Sequence, residues 1–457
     1  MAQEKIERGS ARMGEMPEGR LLLTMAIPMM LSMLVQALYN VVDSIYVSRV
    51  SEDCLTALSL AFPAQNIMIG LGTGTGVGIS TLISRALGQR NREQASRVAG
   101  NGMFLAICCW LLMVCFGVFV TDWFVRTQTD IQAIRGHADS YLRIVTICSL
   151  FLYVEILVER LLQSTGRTRL SMWTQMIGAV TNIILDPFFI FGWLGLPAMG
   201  TAGAALATVI GQAVGSAVGL AFHFTKNQEL PLRFRDVRPD GKIIGEVYKI
   251  GIPSILMMII GSFTNFMMNR ILGAFQSTAV AVFGAYFKVQ SFFFMPIFGL
   301  NNGMIPILGY NYGARKLDRI HRTIRFGILF AVIIMFLGLL VFQFFPQLVL
   351  AMFDPSPTML EIGTHALRRI SISFLLAGFC IISGSACQAL NKSIFFFFIS
   401  VLRQVVGLIP AAWLLARTGD VNMVWWAFPI AEAIAFVATI FFLRKTLQDV
   451  NLQLREA

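Results

Sequence analysis

Long apolar stretches separated by short polar gaps recur along the whole chain, at residues 21–46, 55–83, 98–120, 140–163, 171–192, 200–224, 247–272, 279–309, 325–347, 366–388, 393–416 and 422–443. A helix that crosses the hydrocarbon core of a bilayer takes about 20 predominantly apolar residues, and each stretch is long enough. The pattern predicts an all-α polytopic membrane protein of twelve transmembrane helices. A polar segment, 1–20, precedes them and a short tail, 444–457, follows. The first stretch is too long for a signal peptide, contains an aspartate and lacks a clean small-residue cleavage site, so it is expected to stay as a span.

The longest polar connection, 225–246, carries Lys226, Arg233, Arg235, Arg238 and Lys242 with Pro231 and Pro239. It divides the spans into bundles of six, 21–224 and 247–443. Residues 26–91 align without a gap on 251–316, an offset of 225. Ile27-Pro28 falls on Ile252-Pro253 and Asn40 on Asn265, while Gly74, Gly78, Gly88 and Arg90 fall on Gly299, Gly303, Gly313 and Arg315. Later in the same register, Gln163 falls on Gln388 and Arg167 on Lys392. With an even number of spans per half, both halves enter from one side. That is a parallel repeat about an axis along the membrane normal, an arrangement typical of secondary transporters with a cavity between the halves.

Composition agrees with lipid as the solvent. Apolar residues make up 56% and charged residues 13% of the chain, against about 45–50% and about 25% in soluble domains. A soluble enzyme, a disordered chain and a secreted disulfide scaffold are excluded at this level. The seven cysteines and four histidines show no metal-ligand spacing. The net charge of +11 would suit nucleic acid, but the basic residues sit in the gaps between apolar runs. Of 36 Lys and Arg, 26 fall on the side shared by both chain ends, Lys5 and Arg8 among them. That bias predicts a multi-pass protein of the cell (inner) membrane with both termini cytoplasmic. Its partners are then bilayer lipid and small molecules, no nucleic acid is implied, and nothing demands more than a monomer.

Ionised side chains at membrane depth cost about 2.5–3.5 kcal/mol or more, so the few that occur there stand out. Asp43, Glu155, Glu159, Asp186 and Glu432 are the acids within spans. Asp43 follows Gln36, Tyr39 and Asn40 on the first span. Asn182 and Asp186 stand four apart and share a helix face. Pro187 has no N–H, so the Ile183 carbonyl loses its helical donor. A carboxylate, a carboxamide and a free carbonyl form an oxygen set suited to Na⁺, and a buried carboxylate can equally hold a proton. The bland readings are a satisfied buried hinge at Asp186-Pro187 and a solvated helix end at Asp43. Glu155 has Glu159 and Arg160 as neighbours, which fits end-of-helix pairing as well as cavity lining. Glu432 is expected to support the cavity. At the repeat offset Asp43 faces Met268, so the ion site is expected in the first half.

Weaker motifs resolve as packing. Gly70, Gly74 and Gly78 form a small-residue stripe and carry no Walker lysine, which leaves ATP without a site. Phe395–Phe398 reads as lipid-facing bulk. The 23 methionines and 38 phenylalanines could line a cavity for apolar cations.

The first span, from Ile27-Pro28-Met29-Met30 to Gln36-Ala37-Leu38-Tyr39-Asn40-Val41-Val42-Asp43, resembles the multidrug and toxic compound extrusion (MATE) family. So do Asn182-Ile183-Ile184-Leu185-Asp186-Pro187 and Gly309-Tyr310-Asn311-Tyr312-Gly313-Ala314, and the similarity covers essentially all twelve spans. The resemblance implies two six-helix bundles around a V-shaped cavity and export of cationic amphipathic compounds in exchange for H⁺ or Na⁺, with no other cofactor. It implies Asp43 as a protonation or cation site, completed by Asn182, Asp186 and Thr208, with Pro28 and Pro187 as bending points. If the coupling ion is Na⁺, those same four side chains would hold the metal. A second site, used in another branch through acids on the seventh and tenth spans, has no counterpart here. Two rivals remain: a flippase for lipid-linked oligosaccharides, disfavoured because Lys288 and Arg403 alone among basic residues lie within spans, and a membrane-embedded enzyme, for which no catalytic cluster is visible.

Overall fold

The computed structural model describes residues 10–195, 197–232, 236–353 and 355–456, so Lys5, Arg8, Arg233 and Arg235 lie outside the described residues. Among the described residues ten helices are long and apolar enough to cross a membrane, and up to twelve spans result when two bent helix pairs are each taken as one. The spans are α1 (Glu18–Ser48), α2 (Glu52–Gly88), α3 (Arg92–Arg126), α4 (Gln132–Ile147 with Leu150–Ser164), α5 (Thr168–Phe191), α6 (Thr201–Lys226), α7 (Gly241–Gly273), α8 (Ser277–Gly313), α9 (Leu317–Phe344), α10 (Pro357–Ser371 with Phe374–Ala389), α11 (Ser393–Ala416) and α12 (Ala427–Glu456). Helix starts follow local chemistry: Ser51, Asn91 and Asp240 each accept a backbone N–H of the first turn, as N-caps do.

The structure departs from the hydropathy pattern at α4 and α10. Apolar runs marked 140–163 and 366–388, yet each span begins well earlier and bends, by 48° and 46°. The outer segments carry Arg135, His137, Asp139 and Arg143 in one case and Glu361, His365, Arg368 and Arg369 in the other, which lowers their hydropathy while an apolar face still packs inward. At the first bend the freed Ile147 carbonyl accepts the Trp110 indole N–H at 2.8 Å. At the second, Gln343 donates to the Arg368 carbonyl at 2.6 Å. The stretches expected as linker and tail are partly helical as well, because α7 starts at Gly241 and α12 runs to Glu456.

The repeat extends through both halves. The outer segment of α4, Gln132–Ile147, and that of α10, Pro357–Ser371, start 225 residues apart, and α2 and α8 end 225 apart. Arg90 and Arg315 take positive φ at 59° and 57°, and Gly166 and Asn391 do so at 76° and 69°. A left-handed conformation costs a non-glycine residue about 1–2 kcal/mol. Its recurrence in register marks the same tight turn built twice.

The halves touch mainly at one end. In α2, residues 74–84 are all buried, whereas Leu55, Phe62 and Ile67 nearer its start are exposed. In α8, residues 303–309 are buried and Phe287 and Phe292 are exposed. Glycines make the closed seam possible. The expected stripe is confirmed as packing: a Cβ on Gly74 would meet the Gly251 carbonyl, and one on Gly78 the Val247 carbonyl. Across the pseudo-twofold axis, Gly88 abuts the Tyr310 carbonyl and Gly313 the Arg85 carbonyl, the same contact made once by each half. Chain entry and exit lie at this end too: Asn311 donates to the Met13 carbonyl at 2.9 Å and Tyr312 to Gln453 at 3.1 Å. The Phe395–Phe398 run is split, with Ile394 and Phe398 outward, Phe396 buried and Phe395 stacked on Phe442 at 4.7 Å.

Gly313→Val should force the seam apart and cost about 1–3 kcal/mol, read as a lower melting temperature of the purified protein. Gly136→Ala, where nothing lies within 4 Å of the new methyl, should leave stability unchanged or raise it by less than about 1 kcal/mol, with no fall in melting temperature.

Candidate functional site

The first bundle gathers its polar groups where α1, α5 and α6 meet. Gly178 of α5 and Gly211 of α6 stand backbone against backbone, and that close crossing brings Thr208 to α5. Asn182 donates from Nδ2 to Thr208 Oγ1 at 3.3 Å and to Asp186 Oδ1 at 3.5 Å. Thr208 donates in turn to the Ala204 carbonyl at 2.9 Å. Asp186 is fully buried and Asn182 nearly so. Pro187 lies inside α5, as the sequence requires for a free Ile183 carbonyl. From α1, Asp43 lies within electrostatic reach of Asp186, and Tyr39 within reach of both.

Oxygen acceptors outnumber donors here. Asp43 Oδ1, Asp186 Oδ2 and Asn182 Oδ1 are buried without a hydrogen-bond partner, and the two bonds that Asn182 makes are long. Unpaired buried acceptors are costly. Two carboxylates with neutral oxygens around them are satisfied by a small hard cation or by a proton. Among the described residues no three His, Cys, Asp or Glu side chains gather as a metal-binding group.

The supporting residues divide. Gln36 accepts from Gln175 Nε2 at 2.9 Å and so ties α1 to α5. Tyr39 joins the cluster, whereas Asn40 is exposed, with its backbone carbonyl taking the Ser44 hydroxyl. Glu155 of α4 is wedged at the α5–α6 crossing: a Cβ on Gly178 would stand 3.0 Å from its Oε1, and one on Gly215 would collide with it. Glu159 is buried one turn on. Arg160 turns from these acids to Gln163 at 3.1 Å and, across the seam, to Asn302 of the second bundle at 3.0 Å. Glu432 stands apart in the second bundle and has a partner, Arg403, at 3.7 Å.

Several participants are neutral and so stand out less in an apolar run than an acid does. Gln175 braces Gln36, and Gln65 donates to the Tyr141 hydroxyl at 2.6 Å, with Tyr141 in electrostatic reach of Asp43 and Asp186. Asn302 anchors Arg160. Carboxamides within apolar runs were the available signal.

The MatE family profile matches this chain twice, over residues 28–188 and 253–413. The two matches are offset by the same 225 residues as the internal repeat and together cover most of the chain. The chain belongs to the MatE family. Among curated relatives, multidrug export protein MepA of Staphylococcus aureus (strain bovine RF122 / ET3-1) is 26% identical over 436 residues, 94% of this chain and 95% of MepA. MepA of Staphylococcus saprophyticus is 24% identical over 435 residues, with the same coverage. A solved multidrug resistance MATE family transporter in an outward-facing conformation has the same fold, with a TM-score of 0.91 at 24% identity over 97% of this chain and 99% of that one. In this MatE protein each match starts on the proline inside the first helix of its half, Pro28 of α1 and Pro253 of α7.

The Glu155 wedge makes a checkable geometry. Gly215→Ala should lower the melting temperature, and adding Glu155→Ala should restore part of the loss, giving a coupling of roughly 0.5–3 kcal/mol in the double-mutant cycle, as for residues in contact.

Proposed function

We propose that this protein is a secondary antiporter that exports cationic amphipathic compounds in exchange for H⁺ or Na⁺ bound at Asp43 and Asp186. One observation carries the reading: Asp43 Oδ1 and Asp186 Oδ2 are buried without a hydrogen-bond partner on carboxylates within electrostatic reach of each other, and Asp186 shares the Asn182 amide with Thr208. The naming of full-length relatives as multidrug export proteins supports the substrate class. The charge bias supports a cytoplasmic setting for the glycine seam and both chain ends. On that orientation the described state is closed toward the cytoplasm.

The cycle follows from the residues. With the far side open, a proton or Na⁺ reaches Asp43 and Asp186 and neutralises them. Asn182 then no longer has to divide its donors between a carboxylate and Thr208, and the contact of α1 with α5 is rearranged. Pro28 and Pro187 lie inside α1 and α5 and give those helices places to bend. Bending α1 reshapes the first-bundle side of the cavity and releases the bound cation outward. Coupling requires that ion and substrate favour different states or compete for one site. Neutralising Asp43 and Asp186 favours the bent state and the bound cation favours the unbent one, and that difference supplies the coupling.

The test is ethidium efflux from vesicles under an imposed pH gradient and, separately, an imposed Na⁺ gradient. Efflux should follow one gradient, and Asp43→Asn and Asp186→Asn should each abolish it while the protein stays in the membrane at parental amounts. Undiminished efflux in both variants would reject the assignment.

A further inference from the structure

The second bundle holds a charged pair at the place corresponding to the ion cluster of the first. At the repeat offset Arg403 of α11 stands where α5 has Gly178, one turn before Asn182 on the same face, and Glu432 of α12 stands where α6 has Ala207, next to Thr208. Cys380 of α10 occupies the position of Glu155 and lies within electrostatic reach of both Glu432 and Arg403. The second bundle thus retains a partly buried carboxylate at this place but moves it from α4 to α12 and adds a tethered cation. α11 is π-helical from Leu402 to Leu408, and α12 crosses it closely at Gly407 and Ala431.

The pair is loosely made. Arg403 Nη1 to Glu432 Oε1 is 3.7 Å, well beyond the ~2.7–2.9 Å of a charge-assisted hydrogen bond. Glu432 Oε2 is buried with no partner, and Arg403 makes no other contact of this kind among the described residues. The side chains are 19% and 13% exposed, so neither is sealed. Phe428 stands one turn before Glu432 on the same face of α12, with its ring 5.9 Å from Tyr286 and 6.1 Å from Phe283. Tyr286 itself is in electrostatic reach of Glu432. A carboxylate with a spare oxygen beside aromatic rings is a recognition set for an organic ammonium, phosphonium or iminium group.

We propose that Glu432 receives the positive charge of the transported compound and that Arg403 is the displaceable counter-ion that occupies this carboxylate when the compound has left. The inference rests on the antiport reading but separates the substrate's charge contact, in the second bundle, from ion exchange in the first. Arg403 keeps Glu432 from standing as a bare carboxylate at membrane depth, and it competes with the substrate, which favours release over tight retention.

Equilibrium binding of tetraphenylphosphonium to the purified full chain, without any gradient, tests this, with uncharged triphenylphosphine oxide as the control ligand. Glu432→Gln should weaken tetraphenylphosphonium binding by roughly tenfold, the scale of one lost charge contact, and leave the oxide unchanged. Arg403→Gln should bind the cation more tightly than the parent, by roughly threefold or more. The double variant Arg403→Gln/Glu432→Gln should match Glu432→Gln, and it decides the matter together with Glu432→Gln if the lone charge left in Arg403→Gln prevents folding. Unchanged cation binding in Glu432→Gln, or equal weakening of both ligands, would overturn the proposal. So would weaker cation binding in a folded Arg403→Gln. A parent that binds no tetraphenylphosphonium would instead refute the transport reading itself.

Discussion

A carboxylate oxygen without a partner, held where neither water nor a protein donor reaches it, is expensive, and the first bundle holds two aspartates in that condition. Asp43 and Asp186 leave oxygens unsatisfied while Asn182 stretches to serve both Asp186 and Thr208. In the proposed cycle a positive ion completes this arrangement, and its departure leaves the oxygens unpaired. The α5–α6 crossing at Gly178 and Gly211 brings the acceptors together. The prolines of α1 and α5 sit on the helices that carry them.

The seam supplies the other requirement of a transporter, two halves that can part. Its closest contacts run through glycines set against backbone carbonyls and against side chains such as Ile255. Polar contacts between the halves include Arg160 to Asn302 at 3.0 Å, Asn66 to Ser262 at 3.1 Å, and the ion pairs of Arg97 with Asp240 at 2.8 Å and of Arg319 with Glu18 at 3.4 Å. The repeat explains the symmetry of the contact between Gly88 and Tyr310 and that between Gly313 and Arg85. One structural unit, duplicated, meets its own copy.

Much of this was legible in the chain. Number and order of spans, the division into sixes, the offset of 225 and the glycine stripe all follow from hydropathy and spacing, because lipid forces apolar residues outward and close helix approach forces glycine inward. The bends of α4 and α10 were not legible. Arg135, Asp139 and Arg143, like Arg368 and Arg369, depress hydropathy in segments that still pack through one apolar face, and a window average cannot separate the faces. Asp43, Asn182 and Asp186 were readable because each is anomalous in an apolar run. Gln175, Gln65 and Asn302 were missed because a carboxamide is a milder anomaly whose role depends on its partner. The Arg403–Glu432 contact joins residues 29 apart in sequence, across a π-helical segment whose course no pattern in the chain reveals.

The claim at the centre is that Asp43 and Asp186 bind one kind of positive ion and give it up when a cationic substrate binds. Its most direct measurement is ion release from purified protein in weakly buffered detergent solution on addition of a saturating organic cation, followed with a pH indicator and, in parallel, a Na⁺-selective electrode. The account predicts release of H⁺ or Na⁺ in amounts comparable to the protein, and no release from the variant with both aspartates changed to asparagine. Substrate binding without release of either ion, or equal release from that double variant, would contradict it.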